Sequence, residues 1–223
     1  KTKKSELIRN CIGYLKAILS TGTTVIEAKS GYGLDRDTEL KILEVYRELN
    51  RKQPVEIIPT YLGAHLVPPE YKNSRKQYVK FIIEKMLPEI RRKKLARFCD
   101  VWCEKIAFSK AETRHIFTVA AKLGFGLRLH TNELSSFGGG IIAAEFKVNS
   151  ADHMCYVSAK EIDLLRKANI ICTLLPGTMF AMRSKRYPPA RELLDNGIKI
   201  ALATDFNPGT CMNYNIQMTM TLG

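Results

Sequence analysis

Three apolar runs in the C-terminal half of the chain each end in a residue suited to metal-assisted hydrolysis. They are Gly126-Leu-Arg-Leu-His130, Asn149-Ser-Ala-Asp-His153 and Ile200-Ala-Leu-Ala-Thr-Asp205. The chain has four histidines, and two of them close such runs. A neutral imidazole is a good ligand for a divalent cation. Glu133, three residues beyond His130, can reach the same space from the following loop. His130 reads equally as a hydrogen-bonded histidine closing a sheet, and His153 as a structural one, with Asp152 orienting it or turned away. An acid at the end of an apolar run is costly to bury unless it is paired or metal-bound. Asp205 could therefore hold a metal and accept a proton from water, or it could simply shape a turn. The Asn207-Pro-Gly209-Thr210 segment after it predicts a tight turn with amide groups exposed to a site.

Two earlier motifs also end apolar runs. In Glu27-Ala-Lys-Ser-Gly31-Tyr-Gly33 the glycines permit a turn that projects the Tyr32 hydroxyl. Leu62-Gly-Ala-His65 offers a third imidazole. Lys29 could meet a substrate carboxylate or pair with Glu27 or Glu104. His115 falls inside a helical pattern and reads as surface.

Positioning such residues requires a scaffold whose strand ends converge. Seven short runs rich in Val, Ile and Leu read as strands: 23–29, 55–62, 98–104, 126–130, 148–153, 170–175 and 198–204. Such runs suit strands buried on both faces. Helical patterns fill the gaps. One follows Asp37; Ser109-x-x-Glu112 and Ser158-x-x-Glu161 are capping boxes; Pro188-Pro189 opens another helix and Gly197 ends it. Residues 67–95 form a longer excursion with a helical centre. Gly138-Gly139-Gly140 could start a helix but lacks the dinucleotide-binding fingerprint. Repeated strand–helix alternation with functional residues at many strand ends favours a (β/α)8 TIM-type barrel over an open sheet. Seven strands leave one unaccounted for. The chain opens in a helix, so the expectation is that residues 1–223 form a single catalytic-barrel domain, truncated at both ends and lacking its first strand.

Bulk composition narrows the classes. A net charge of +13 is spread along the chain and reads as a solvated surface, with no nucleic-acid signature beside it. No apolar run approaches the roughly 20 residues of a membrane helix, and the first residues lack a signal-peptide pattern, so no membrane partner and a cytoplasmic setting are expected. Six cysteines contain no Cys-x-x-Cys pair and read as buried free thiols.

Seven motifs, taken together and in order, closely resemble the imidazolonepropionase family of the amidohydrolase superfamily: Glu-Ala-Lys-Ser-Gly-Tyr-Gly, Leu-Gly-Ala-His, Cys-Glu-Lys, His-Thr-Asn-Glu, Ser-Ala-Asp-His, Leu-Leu-Pro-Gly-Thr and Ala-Thr-Asp-Phe-Asn-Pro-Gly. The resemblance runs from about Thr23 to the end. It implies a metal-dependent (β/α)8 barrel that hydrolyses 4-imidazolone-5-propanoate to N-formimidoyl-L-glutamate in histidine degradation, and a homodimer is the assembly it allows. It implies one zinc or iron ion, with His130 and Asp205 as ligands. It implies Tyr32, His65 and Glu133 as substrate contacts, and Asn207, Gly209 and Thr210 as the turn that holds substrate or product. Asp205, His153 and Glu133 would move protons while water attacks the ring carbon between the two nitrogens. The family's His-x-His metal-ligand pair, the arginine beyond it and its small β-sandwich domain do not occur in this sequence. Two ligands are fewer than the three usual for catalytic zinc, so weak metal binding and little turnover are expected of these residues alone. A different cyclic amidohydrolase, acting on hydantoin- or dihydroorotate-like rings, and a catalytically silent binding module are the alternatives.

Overall fold

The structure is a computed structural model that describes residues 2–223. The chain divides into two compact units. The first spans residues 1–102 and 106–127, and the second spans 103–105 and 128–223.

The first unit begins with helix α1 (Lys4–Ser20), then β1 (Val25–Lys29), α2 (Arg36–Leu49) and β2 (Glu56–Ala64). Parallel pairing sets Val25 beside Glu56 and Lys29 beside Thr60. α1 and α2 turn Ile8, Leu15, Val45 and Leu49 inward onto Val55 and Ile57, a spacing that gives each helix one apolar face. Strand β3 (Phe98–Cys103) pairs parallel with β2. The register shifts between Tyr61 and Ala64, just before His65, as at a β-bulge. The long excursion resolves into a 3₁₀ turn (Pro69–Tyr71), α3 (Arg75–Phe81), a π-helical turn (Ile82–Met86) and α4 (Leu87–Arg92). α5 (Lys110–Lys122) completes the unit, its capping box formed by Ser109 and Glu112.

β4 (Gly126–Thr131) leads into the second unit, followed by α6 (Gly139–Phe146), β5 (Ser150–His153), α7 (Ala159–Lys167) and β6 (Ile171–Leu174). α8 (Pro176–Ala181), α9 (Ala190–Asp195), β7 (Lys199–Leu202) and α10 (Ile216–Leu222) follow. β4 pairs parallel with β5, β5 with β6 and β6 with β7. The second capping box, Ser158 with Glu161, forms as the sequence predicts. Gly124 and Gly197 stop their helices with φ of 79° and 75°, values an L side chain rarely adopts.

All seven expected strands form, with one difference in environment. β7 alternates exposed and half-buried residues, and β1 is half-buried at best. Within its own unit each pairs with a single strand, whereas the buried β5 pairs with two. All six cysteines are free thiols, five buried and Cys11 partly so. No helix among the described residues is long and apolar enough to cross a membrane.

Candidate active site

In the first unit the turn after β1 is shaped by a carboxylate. Glu39, in the first turn of α2, is buried and accepts from Gly31 N at 3.0 Å and Gly33 N at 2.6 Å. Desolvation by burial raises its pKa, against hydrogen bonds from Ser30, Gly33, Gly31 and Leu34 that lower it. Gly31 has φ of 113°, and a Cβ there would lie 2.6 Å from the Leu62 carbonyl oxygen. The turn leaves Tyr32 46% exposed, edge-on to the His65 ring with centroids 5.0 Å apart. His65 in turn lies 5.3 Å from the Trp102 ring. Tyr32 and His65 are therefore brought together, with Trp102 as a neighbour that the motifs did not single out. Lys29 pairs with Glu27, as the sequence allows, and with Asp100. Its ammonium meets Asp100 at 2.5 Å and Glu27 at 3.4 Å.

In the second unit the β4–β5 register sets His130 beside Asp152 and Thr131 beside His153. The two imidazole rings lie 5.3 Å apart. His130, Glu133, Asp152 and His153 are all buried. His153 Nε2 is 3.7 Å from Glu133 Oε2, and His130 Nδ1 is 3.9 Å from Asp152 Oδ2. Both distances exceed a direct hydrogen bond. Asp152 is held by Ser150 Oγ at 2.9 Å, which accepts from Arg128 at 3.1 Å. His153 Nδ1 is buried with no hydrogen-bond partner among the described residues, an arrangement that native interiors rarely tolerate without a role. His153 also has φ of 77°. A non-glycine residue held there stores strain, and such strain concentrates at functional sites.

Asp205 stands three residues beyond β7, half-buried, with φ of 51°. Its Oδ2 accepts from the buried Thr178 hydroxyl at 2.7 Å. Thr178 belongs to the Leu-Leu-Pro-Gly-Thr motif, to which the sequence assigned no role. Asn207 corrects one expectation. Its Oδ1 accepts from Gly209 N and Thr210 N, both at 2.8 Å, while its Nδ2 donates to the Asp205 carbonyl at 2.7 Å. The turn amides expected to face a site are instead consumed by the Asn207 side chain, as in an Asx turn.

The implied metal fits this donor set by type. His130 supplies a buried imidazole, and Asp205 supplies a carboxylate already oriented by Thr178. Imidazole nitrogen and carboxylate oxygen are the ordinary ligands of catalytic zinc.

No family model matches the sequence. The imidazolonepropionase of Treponema denticola is 43% identical over 217 residues, which is 97% of this chain and 52% of the relative. That of Alkaliphilus metalliredigens is 43% identical over 223 residues, all of this chain and 53% of the relative. This chain is a relative of the imidazolonepropionases. It spans about half the length of the curated relatives it matches. Solved structures agree on the fold. A guanine deaminase from C. acetobutylicum with bound guanine matches with a TM-score of 0.71 at 16% identity, over 97% of this chain and 54% of its own. An adenine deaminase from Arthrobacter aurescens gives 0.72 at 13%, over 100% and 69%. An adenosine deaminase from Xanthomonas campestris with bound zinc gives 0.68 at 13%, over 98% and 50%. The chain thus shares the parallel strand–helix fold of these deaminase structures.

Proposed function

We propose that this chain carries the barrel portion of an enzyme that hydrolyses 4-imidazolone-5-propanoate to N-formimidoyl-L-glutamate, in the cytoplasm, during L-histidine degradation. The observation that supports it most is 43% identity to imidazolonepropionases across the whole chain. The buried His130, Glu133 and His153 around one pair of strand ends supply groups of the right chemistry.

The products fix which bond must break. A formimidoyl group keeps its N–CH–N unit, so water adds to the ring carbonyl carbon, whose oxygen becomes part of the new carboxylate. Attack on the carbon between the nitrogens, as expected from the sequence, would leave a formyl group instead. Zinc or iron held by His130 and Asp205 would supply a Lewis acid and make water a stronger acid near neutral pH. Asp205 accepts the proton of the attacking water, its carboxylate held in place by Thr178. As the C–N bond opens, the departing nitrogen takes a proton from the His153–Glu133 pair, whose reactive atoms stand 3.7 Å apart. Tyr32 and His65 contact the substrate, and Asn207, Gly209 and Thr210 shape the wall that holds it.

The test is ring opening by the full-length metal-loaded protein, followed by loss of imidazolone absorbance and mass detection of N-formimidoylglutamate. Asp205→Asn should lower kcat by at least about a hundredfold, the scale on which general-base groups act. Faster hydrolysis of a hydantoin or dihydroorotate ring would overturn the substrate assignment. Substrate binding without turnover by the metal-loaded protein would overturn the enzymatic one.

A further inference from the structure

Glu161 lies outside the group of residues assigned to substrate or metal, yet it is among the most fully engaged carboxylates in the second unit. It is buried at the N-terminal end of α7, and its two oxygens do separate work. Oε2 accepts from Ser158 N at 2.9 Å and from Ser158 Oγ at 2.7 Å, which closes the capping box. Oε1 accepts from Asn132 Nδ2 at 2.8 Å and from Gly140 N at 2.9 Å. Two helix N-termini, those of α6 and α7, thus converge on one buried negative charge, a favourable arrangement for both dipoles. Gly140 makes the approach feasible, since a Cβ there would lie 2.9 Å from Glu161 Cβ and Oε1. A Cβ on Gly139 would overlap Thr131 Oγ1. Gly139 and Gly140 therefore serve close packing.

Asn132 immediately precedes Glu133 and is itself fully buried, with φ of 51°. On the other side of Glu133, Leu134 N donates to Glu104 Oε2 at 3.1 Å, and Ser135 Oγ donates to Glu104 Oε1. Thr131 Oγ1 donates to the Cys103 carbonyl at 3.0 Å. Both flanks of Glu133 are therefore tied down, and its carboxylate is left facing His153.

We propose that Glu161, acting through Asn132, is a positioning residue that fixes the 131–135 turn so that the Glu133 carboxylate meets His153 in working geometry. The inference rests on the reading of Glu133 as a group that contacts substrate. The division of labour between the two Glu161 oxygens makes it testable. Ser158→Ala removes the cap and keeps the Oε1 bonds. Asn132→Ala removes the link to the turn and keeps the cap. Glu161→Gln keeps one accepting oxygen for Asn132 and Gly140.

The experiment measures kcat, KM, Tm and amide hydrogen exchange at Leu134 and Ser135 in the full-length protein. Asn132→Ala should lower kcat about tenfold to a hundredfold, because a displacement of about 1 Å at a reacting group has that scale of effect. KM should change by less than about threefold, the pattern of an interaction realised in the transition state. Exchange at 134 and 135 should quicken in the same variant. Ser158→Ala should lower Tm while kcat and exchange at 134 and 135 stay at wild-type values. Glu161→Gln should recover most of the rate lost in Glu161→Ala. If Ser158→Ala loses kcat in proportion to Tm, or if Asn132→Ala exchanges and turns over as wild type does, the proposal is wrong. Should Glu161→Ala fail to fold, the Ser158 and Asn132 variants decide the matter between them. The exchange measurement needs no catalysis. A wild-type protein that opens no imidazolone ring, but whose 134–135 amides loosen in Asn132→Ala, would sink the functional reading and leave the clamp standing.

Discussion

The turn after β1 and the turn after β4 solve the same problem with the same group and reach opposite outcomes. Each is held by a buried glutamate from the first turn of a helix, Glu39 for the first and Glu161 for the second. Glu39 reaches its turn mainly through backbone, at Gly31 N and Gly33 N, with the Ser30 side chain beside them. Glu161 reaches its turn through a side chain, Asn132 Nδ2. The clamp on the turn's amides fixes the path of the chain and leaves Tyr32 at 46% exposure. The side-chain clamp buries the residue beside it, leaving Glu133 at 8%. The glycines follow suit. In the first turn they stand within the turn itself, while in the second they stand at the head of the next helix, where they let Glu161 approach.

The comparison breaks most visibly at the glycines. Gly31→Ala meets a backbone carbonyl that cannot move aside, at 2.6 Å, and a φ of 113°. It should lower unfolding free energy by about 3 kcal/mol, the sum of backbone strain and overpacking. Gly140→Ala is in a helical conformation and meets the Glu161 side chain, at Cβ and Oε1 both 2.9 Å away, instead of a backbone carbonyl. Its overpacking cost is partly offset by the better helix propensity of alanine, leaving a loss of about 1 kcal/mol. Urea denaturation of both variants checks the ranking. Equal losses would mean that the two clamps tolerate side-chain volume alike, and the distinction drawn between them would fall.

Much of this was legible in the residues. The seven strands announce themselves as short apolar runs, and both capping boxes form where Ser-x-x-Glu predicts them. The Glu161 cap is legible because it spans three residues. Its second bond is not, because Asn132 lies 29 residues away and meets it only once β4, α6 and α7 have packed. The same holds for Lys29, whose Asp100 partner is 71 residues distant. Asn207 shows a different kind of miss. Asn-Pro-Gly correctly predicted a turn, but a turn's amides can be satisfied from within, and here the Asn207 carbonyl oxygen takes them. The left-handed backbone at His153 is barely signalled by sequence, since histidine is enriched at positive φ but only a small share of residues adopt it.

The smallest expected effect concerns charge at the first clamp. Burial raises the Glu39 pKa above its ordinary 4.5, and the hydrogen bonds from Ser30, Gly33, Gly31 and Leu34 oppose this without cancelling it. The folded protein therefore holds this proton more tightly than the unfolded chain does. By linkage, the stability contributed by Glu39 is fully present below its ordinary pKa and is lost as pH rises through the raised folded value. Glu39→Gln cannot titrate, so its unfolding free energy should fall less steeply than wild type over that window. The difference in slope amounts to less than about one proton. Urea midpoints of the two proteins, measured at intervals from pH 4 to pH 7, provide the check. Parallel curves would mean that the hydrogen bonds of the turn stabilise the carboxylate as well as water does, and the first clamp would then be no worse a home for charge than solvent.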